Sequence, residues 1–210
     1  MAPRVSEEHK DQRQQLILDA AEKVFIQRGY NTTTMQHIIE ESGVSRGGIY
    51  TYYNNTEDIF LALIQRRDDS SFEESIPISE DHRCTWDEVT EMLHDFQVFI
   101  EQMPQSLAPA LFEYYFTVGW HSHKHIPLLE ARYAKAIKML VALFQKGVES
   151  GEFHPVLPLD SIAWTLTSFF DGLGFAIMQI ERDMFKMDQQ MESIEFYLKT
   201  ALTPTKVKVV

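Results

Sequence analysis

The chain has 210 residues, 44% hydrophobic and 24% charged, which is enough apolar material for a packed core. Its single cysteine, Cys84, excludes an intrachain disulfide, and no uninterrupted apolar run is long enough to span a bilayer. The formal charge of −12 is unevenly spread: residues 1–67 carry 8 Lys/Arg against 9 Asp/Glu, the remainder 11 against 22, so a near-neutral N-terminal segment precedes an acidic body.

A first helix is predicted over 7–28, where Ile17, Ala20, Ala21, Val24 and Phe25 recur at helical spacing and Gly29 follows as a cap. A short second helix begins after Thr33, whose hydroxyl can cap it with Gln36 three residues on, and ends at Gly43. Ser45 can cap a third, over 46–53, with Ile49 and Tyr53 facing inward onto Val44 and the first helix. Asn55 can cap a fourth, over 56–67, whose Glu57 and Asp58 suit the positive end of a helix. A polar loop is expected from Asp68 to Cys84, then helices near 85–103, 107–120, 128–150, 159–181 and 188–202 and a frayed tail. The fold class is therefore all-α: an N-terminal helix-turn-helix module over 1–67, then a helical body over 68–210.

The third helix has the surface a DNA-reading helix needs. A major groove about 12 Å wide admits a helix only if its outward side chains are small or reach base edges. Arg46 is the one long cation there and can donate twice to guanine O6 and N7. Gly47 and Gly48 lower helix propensity by about 1 kcal/mol each but permit close approach of backbone. Thr51 offers a methyl for thymine, while Thr33, Thr34, Ser45, Tyr50, Tyr52 and Thr56 surround the helix as candidate phosphate contacts. A neutral module of this kind binds double-stranded DNA when such groups gather on one face, and a palindrome needs two copies.

The stretch Phe25–Leu63, FIQRGYNTTTMQHIIEESGVSRGGIYTYYNNTEDIFLAL, closely resembles the DNA-binding domain of the TetR/AcrR family of bacterial repressors. Phe25, Gly29, Tyr30, Thr33, Thr34, Ile38, Gly43, Val44, Ser45, Gly47, Ile49, Tyr50, Tyr53, Glu57 and Phe60 carry the match. Arg46 stands where the family usually has Lys, Thr51 and Tyr52 where it often has Tyr and His, and Asn54 and Thr56 where lysines are common. The resemblance implies a repressor that binds a palindromic operator as a homodimer and encloses a small-molecule effector in its helical body. The rival readings are an architectural DNA-bending protein without ligand and an all-helical enzyme acting on a hydrophobic substrate.

For the body, candidate ligand-lining residues are Phe96, Phe99, Met103, Phe112, Phe116, Trp120, Phe144, Trp164 and Asp171. Carboxylates at Glu101, Glu113 and Asp171 within apolar stripes suggest a ligand with an apolar body and one positive charge. The last two helices are the expected dimer interface, through Ile162, Phe169, Phe170, Leu173, Ile177, Ile194 and Leu198, with Gly172 and Gly174 allowing close approach. His121 and His125 would share a helical face at metal-binding spacing, but no cysteine completes a set. Solvated histidines are the expectation there, with no metal, cofactor or catalytic set. The opening MAPRVSEEHKDQRQQ has no signal-type apolar core, so a cytoplasmic location is expected.

Overall fold

The computed structural model describes residues 7–74 and 84–205, with side-chain environments for 11–68, 84–181 and 183–205. Among them the structure is all-helical. In chain order the helices are α1 (Glu7–Arg28), α2 (Met35–Ser42), α3 (Arg46–Tyr50), α4 (Thr56–Glu74), α5 (Thr85–Gln102), α6 (Ala108–Phe116), α7 (Val118–Ser122), α8 (Ile126–Glu149), α9 (Leu159–Ala176), α10 (Arg182–Phe185) and α11 (Met187–Leu202). A 3-10 turn, Met103–Gln105, follows α5.

The helices form two compact units. The first gathers α1–α4 with the later segment Gln105–Leu129, which contains α6 and α7. Its core holds Ile17, Phe25, Ile38, Ile49, Ile59, Phe60 and Leu63, all fully buried. Tyr114 of α6 completes it: its ring lies 4.9 Å from Tyr30 and 5.2 Å from Phe60, and Phe60 lies 4.6 Å from Phe25. Aromatic edge-to-face contacts of this kind add about 0.5–1.5 kcal/mol each beyond area burial. Arg66 ties α4 back to α1 through Asp19 at 2.6 Å and Glu22 at 3.0 Å.

The second unit contains α5, most of α8, α9, α10 and α11 around Val89, Ile100, Phe144, Phe153, Ile162, Leu166 and Leu198. Two features fix its geometry. Glu152, buried, accepts the backbone N–H groups of Thr85 at 2.7 Å and Trp86 at 2.9 Å, so a distant carboxylate caps α5 where Cys84 makes no side-chain cap. Gly147 lies so close to Phe153 that a Cβ there would fall 2.2 Å from the ring.

Several boundaries differ from expectation. Asp68–Glu74 continues α4 and is not loop; 75–83 lie outside the described residues. Helix α8 starts at Ile126, two residues before the expected 128, with Pro127 in its first turn, where its missing N–H costs no helical bond. The third helix stops at Tyr50, and Tyr53 reaches the core from the following turn. The tail is held as far as Thr205, whose N–H donates to the Glu152 carbonyl at 2.9 Å, and residues 206–210 lie outside the described residues.

Candidate nucleic-acid interface

Helix α3 is fixed by its ends and its inner face. Ser45 Oγ accepts the Gly48 N–H at 3.2 Å, and Gly43, at φ 65°, closes α2 with its N–H on the Ile39 carbonyl at 3.1 Å. Val44, Ile49 and Tyr53 are buried beneath. Arg46, Gly47, Tyr50 and Thr51 are exposed on the other side, with the Arg46 guanidinium 5.6 Å from the centre of the Tyr50 ring. The Thr51 hydroxyl donates to the Gly47 carbonyl at 2.8 Å. A Cβ at Gly47 would meet nothing, whereas one at Gly48 would come 3.0 Å from Val44 and 3.2 Å from Ser45 Oγ. Gly47 is thus the open position and Gly48 serves internal packing.

The cap of α2 is Thr34, not Thr33. Thr34 Oγ1 accepts the His37 N–H and His37 Nδ1 accepts the Thr34 N–H, both at 3.3 Å, so the box partner is His37 and not Gln36. Thr33 is buried, and its hydroxyl donates to the Gly29 carbonyl at 2.6 Å. That removes Thr33 from the surface a phosphate can reach. Tyr52 is half-buried against the core beside Tyr53. Asn55 Oδ1 caps α4 by accepting the Asp58 N–H at 2.8 Å, and Thr56 opens that helix half-buried. Burial and Glu57 push the Tyr30 pKa up to about 12.

Sequence reasoning missed the groups that α6, α7 and the following turn bring to this module. Asn31 N–H donates to Glu113 Oε2 at 3.0 Å, and Thr117 Oγ1 donates to Asn31 Oδ1 at 3.1 Å. Glu57 Oε1 accepts the Tyr114 hydroxyl at 3.0 Å, and Lys124 Nζ donates to its other oxygen at 2.7 Å. Burial raises the Glu57 pKa, but hydrogen bonds from Lys124, Ser122 and Tyr114 outweigh it and hold the carboxyl below its ordinary value. These partners stand 57 and 67 residues from Glu57, beyond any local pattern.

The histidine run also differs from expectation. Helix α7 ends at Ser122 and His123 turns left-handed at φ 58°, so His121 and His125 share no helical face. His121 and His123 are exposed but His125 is buried, because it folds under against Tyr114 and Tyr115. Among the described residues no three His, Cys, Asp or Glu side chains group as metal ligands, and no helix is long and apolar enough to cross a membrane.

The expected ligand-lining residues divide between the units. Phe112 (half-buried), Phe116 and Trp120 (both exposed) belong to the first. In the second, Phe96 stacks on Phe170 at 3.6 Å, Met103 packs against Gly174, and Phe144 is fully buried as ordinary core. Phe99 and Trp164 are exposed; Trp164 stacks on Tyr133 at 5.7 Å, and Asp171 accepts the Tyr133 hydroxyl. Of the expected interface residues, Ile162, Phe170, Leu173, Ile194 and Leu198 are buried in the unit's own core, with Phe169 and Ile177 half-buried against it. The broad apolar face of α9 closes the subunit itself, and Trp164, Phe175 and Phe196 are the large apolar side chains that α9 and α11 leave exposed.

Residues 17–63 match the family described as bacterial regulatory proteins, tetR family, and residues 88–188 match a tetracyclin repressor-like C-terminal domain. The chain is 36% identical over 202 residues to the uncharacterized HTH-type transcriptional regulator YfiR of Bacillus subtilis (strain 168), covering 96% of this chain and 98% of that one. Its fold is similar to that of a TetR transcriptional regulator from Chloroflexus aurantiacus J-10-FL, with a TM-score of 0.75 at 17% identity, over 93% of this chain and 98% of that one. It is also similar to MexZ of Pseudomonas aeruginosa, described as a key repressor responsible for antibiotic resistance, with a TM-score of 0.63 at 24% identity over 90% and 94% of the two chains.

Proposed function

The chain belongs to the TetR family of bacterial helix-turn-helix transcriptional regulators, and from that premise we propose that it is a repressor that binds a palindromic operator as a homodimer and is released by a small, largely apolar inducer. The observation that carries the DNA-reading part is the two-sided α3. Its inner face is locked by Val44, Ile49 and Tyr53, and its outer face presents Arg46, Gly47, Tyr50 and Thr51 to a groove. Ser45 and Thr34 use their oxygens as caps and keep their exposed edges for phosphate, and the first turn of α4 offers backbone N–H groups beside Thr56.

Two copies are required because one α3 covers only a half-site. With the apolar face of α9 consumed internally, the partner is met by Phe175 and Phe196. For the inducer, Trp164 and Tyr133 stacked beside Asp171 suit an apolar molecule bearing one positive charge. An inducer that prefers the DNA-incompetent form 100-fold contributes about 2.7 kcal/mol against DNA binding.

Selection from a random-sequence duplex pool, with the purified protein at near-physiological salt, tests this function. Recovery of one inverted repeat with half-sites about 10 base pairs apart, or a multiple of that, is expected. Recovery of no sequence preference favours the architectural reading.

A further inference from the structure

The segment 113–125 fastens onto the DNA-reading module at two points within one compact unit: Glu113 and Thr117 on Asn31, and Tyr114 and Lys124 on Glu57 in the first turn of α4. Lys124 also lies 3.9 Å from Asp58. The next residue, His125, is only 9% exposed, with its ring 4.8 Å from that of Tyr115 and 5.6 Å from that of Tyr114. Among the described residues its Nδ1 is the one buried side-chain nitrogen or oxygen without a hydrogen-bond partner. Gly119 leaves room for the same atom, since a Cβ there would lie 3.1 Å from it.

We propose that Glu57, Tyr114 and Lys124 are positioning residues for DNA reading, and that His125 makes their hold on α4 sensitive to protonation. This rests on the DNA-reading function above.

A neutral imidazole fills the space between the tyrosine rings as a flat aromatic. Protonation gives Nδ1 a hydrogen with no acceptor, in a place where a buried donor is costly. The titratable and charged groups that face it are Glu57 from α4, Tyr114 and Tyr115 from α6, and His123 from its own turn, with Lys124 and Asp58 joined through Glu57. Burial and then His123 hold the His125 pKa below its ordinary value, while Glu57 acts in the opposite direction. The oxygens of Glu57 are already taken by Tyr114 and Lys124. A protonated His125 therefore competes for Glu57 or moves out to water, pulling Lys124 with it. The released turn binds the proton at the ordinary histidine value of 6.5 and the held turn at a lower one. The hold is complete above 6.5 and is lost as pH falls through the lower value.

The test uses the full chain and the duplex recovered from the random pool at pH 7.5, titrated at pH 7.5 and 5.5. Wild type is compared with His125→Phe at each pH, so that whatever acid does elsewhere in the unit is common to both chains. His125→Gln serves as a second neutral replacement should Phe fail to fold. Between the two pH values wild type should lose about three- to tenfold more affinity than either variant. Lys124→Met should bind more weakly at pH 7.5 and lose less on acidification, which a purely structural lysine would not produce. Hydrogen exchange of the free protein supplies a readout without DNA: at pH 5.5 the amides of 118–125 and the first turn of α4 should be less protected in wild type than in His125→Phe. Parallel affinity profiles, or equal protection at pH 5.5, overturn the proposal. Failure to recover any specific duplex overturns the DNA-reading function instead, and exchange alone then decides the latch.

Discussion

On the proposed reading, Arg46 is a side chain prepared for a base edge before DNA arrives. It stands over the Tyr50 ring at 5.6 Å on the first turn of α3, so part of its freedom is already restricted on the outward face. Arg46→Ala should lose about 1–3 kcal/mol of discrimination at one base position in each half-site, read as relaxed preference there in a competition titration. Loss of affinity equal for every duplex would instead make Arg46 a phosphate contact. Thr33 and Thr34 are neighbours with opposite fates. The second caps α2 at the surface and the first is buried on the Gly29 carbonyl. Thr34→Ala should cost about 1 kcal/mol of stability in urea denaturation through loss of the cap.

At the scale of elements, what was legible in the sequence was local chemistry. Gly29 at φ 76° and Gly43 at φ 65° close α1 and α2 as their positions suggested, and Ser45 and Asn55 cap the helices they precede. The start of α5 shows why the rest was not. Its cap is Glu152, 67 residues from Thr85, and only the folded second unit brings that carboxylate to the helix end. Likewise Tyr114 and Lys124 meet Glu57 across a chain separation that no periodicity encodes, and the buried position of His125 follows from a left-handed turn at His123 with no glycine to announce it. Apolar periodicity located α9 but could not say which partner its wide apolar face would meet; Ile162, Leu166, Phe170 and Leu173 meet their own subunit. Because Glu152 accepts two buried backbone N–H groups, Glu152→Ala should lower stability by about 2–3 kcal/mol, seen as a lower urea midpoint with unchanged slope. An unchanged midpoint would mean that water replaces both bonds.

For the whole molecule, the same distinction between inward and outward faces separates folding from assembly. Phe196→Asp places a charge on a side chain that is 72% exposed in one subunit. It should yield a folded monomer in sedimentation, with α-helical circular dichroism retained. Phe170→Asp buries that charge in the second unit's core and should lose the fold itself. A dimeric Phe196→Asp protein would place the interface elsewhere. Palindrome reading by a homodimer is tested most directly by titrating the selected inverted repeat and a scrambled duplex at near-physiological salt while the mass of the complex is followed by sedimentation. Two chains per duplex and a preference of roughly 10³-fold or more are expected; equal affinity for both duplexes, or a single chain bound at saturation, would contradict it.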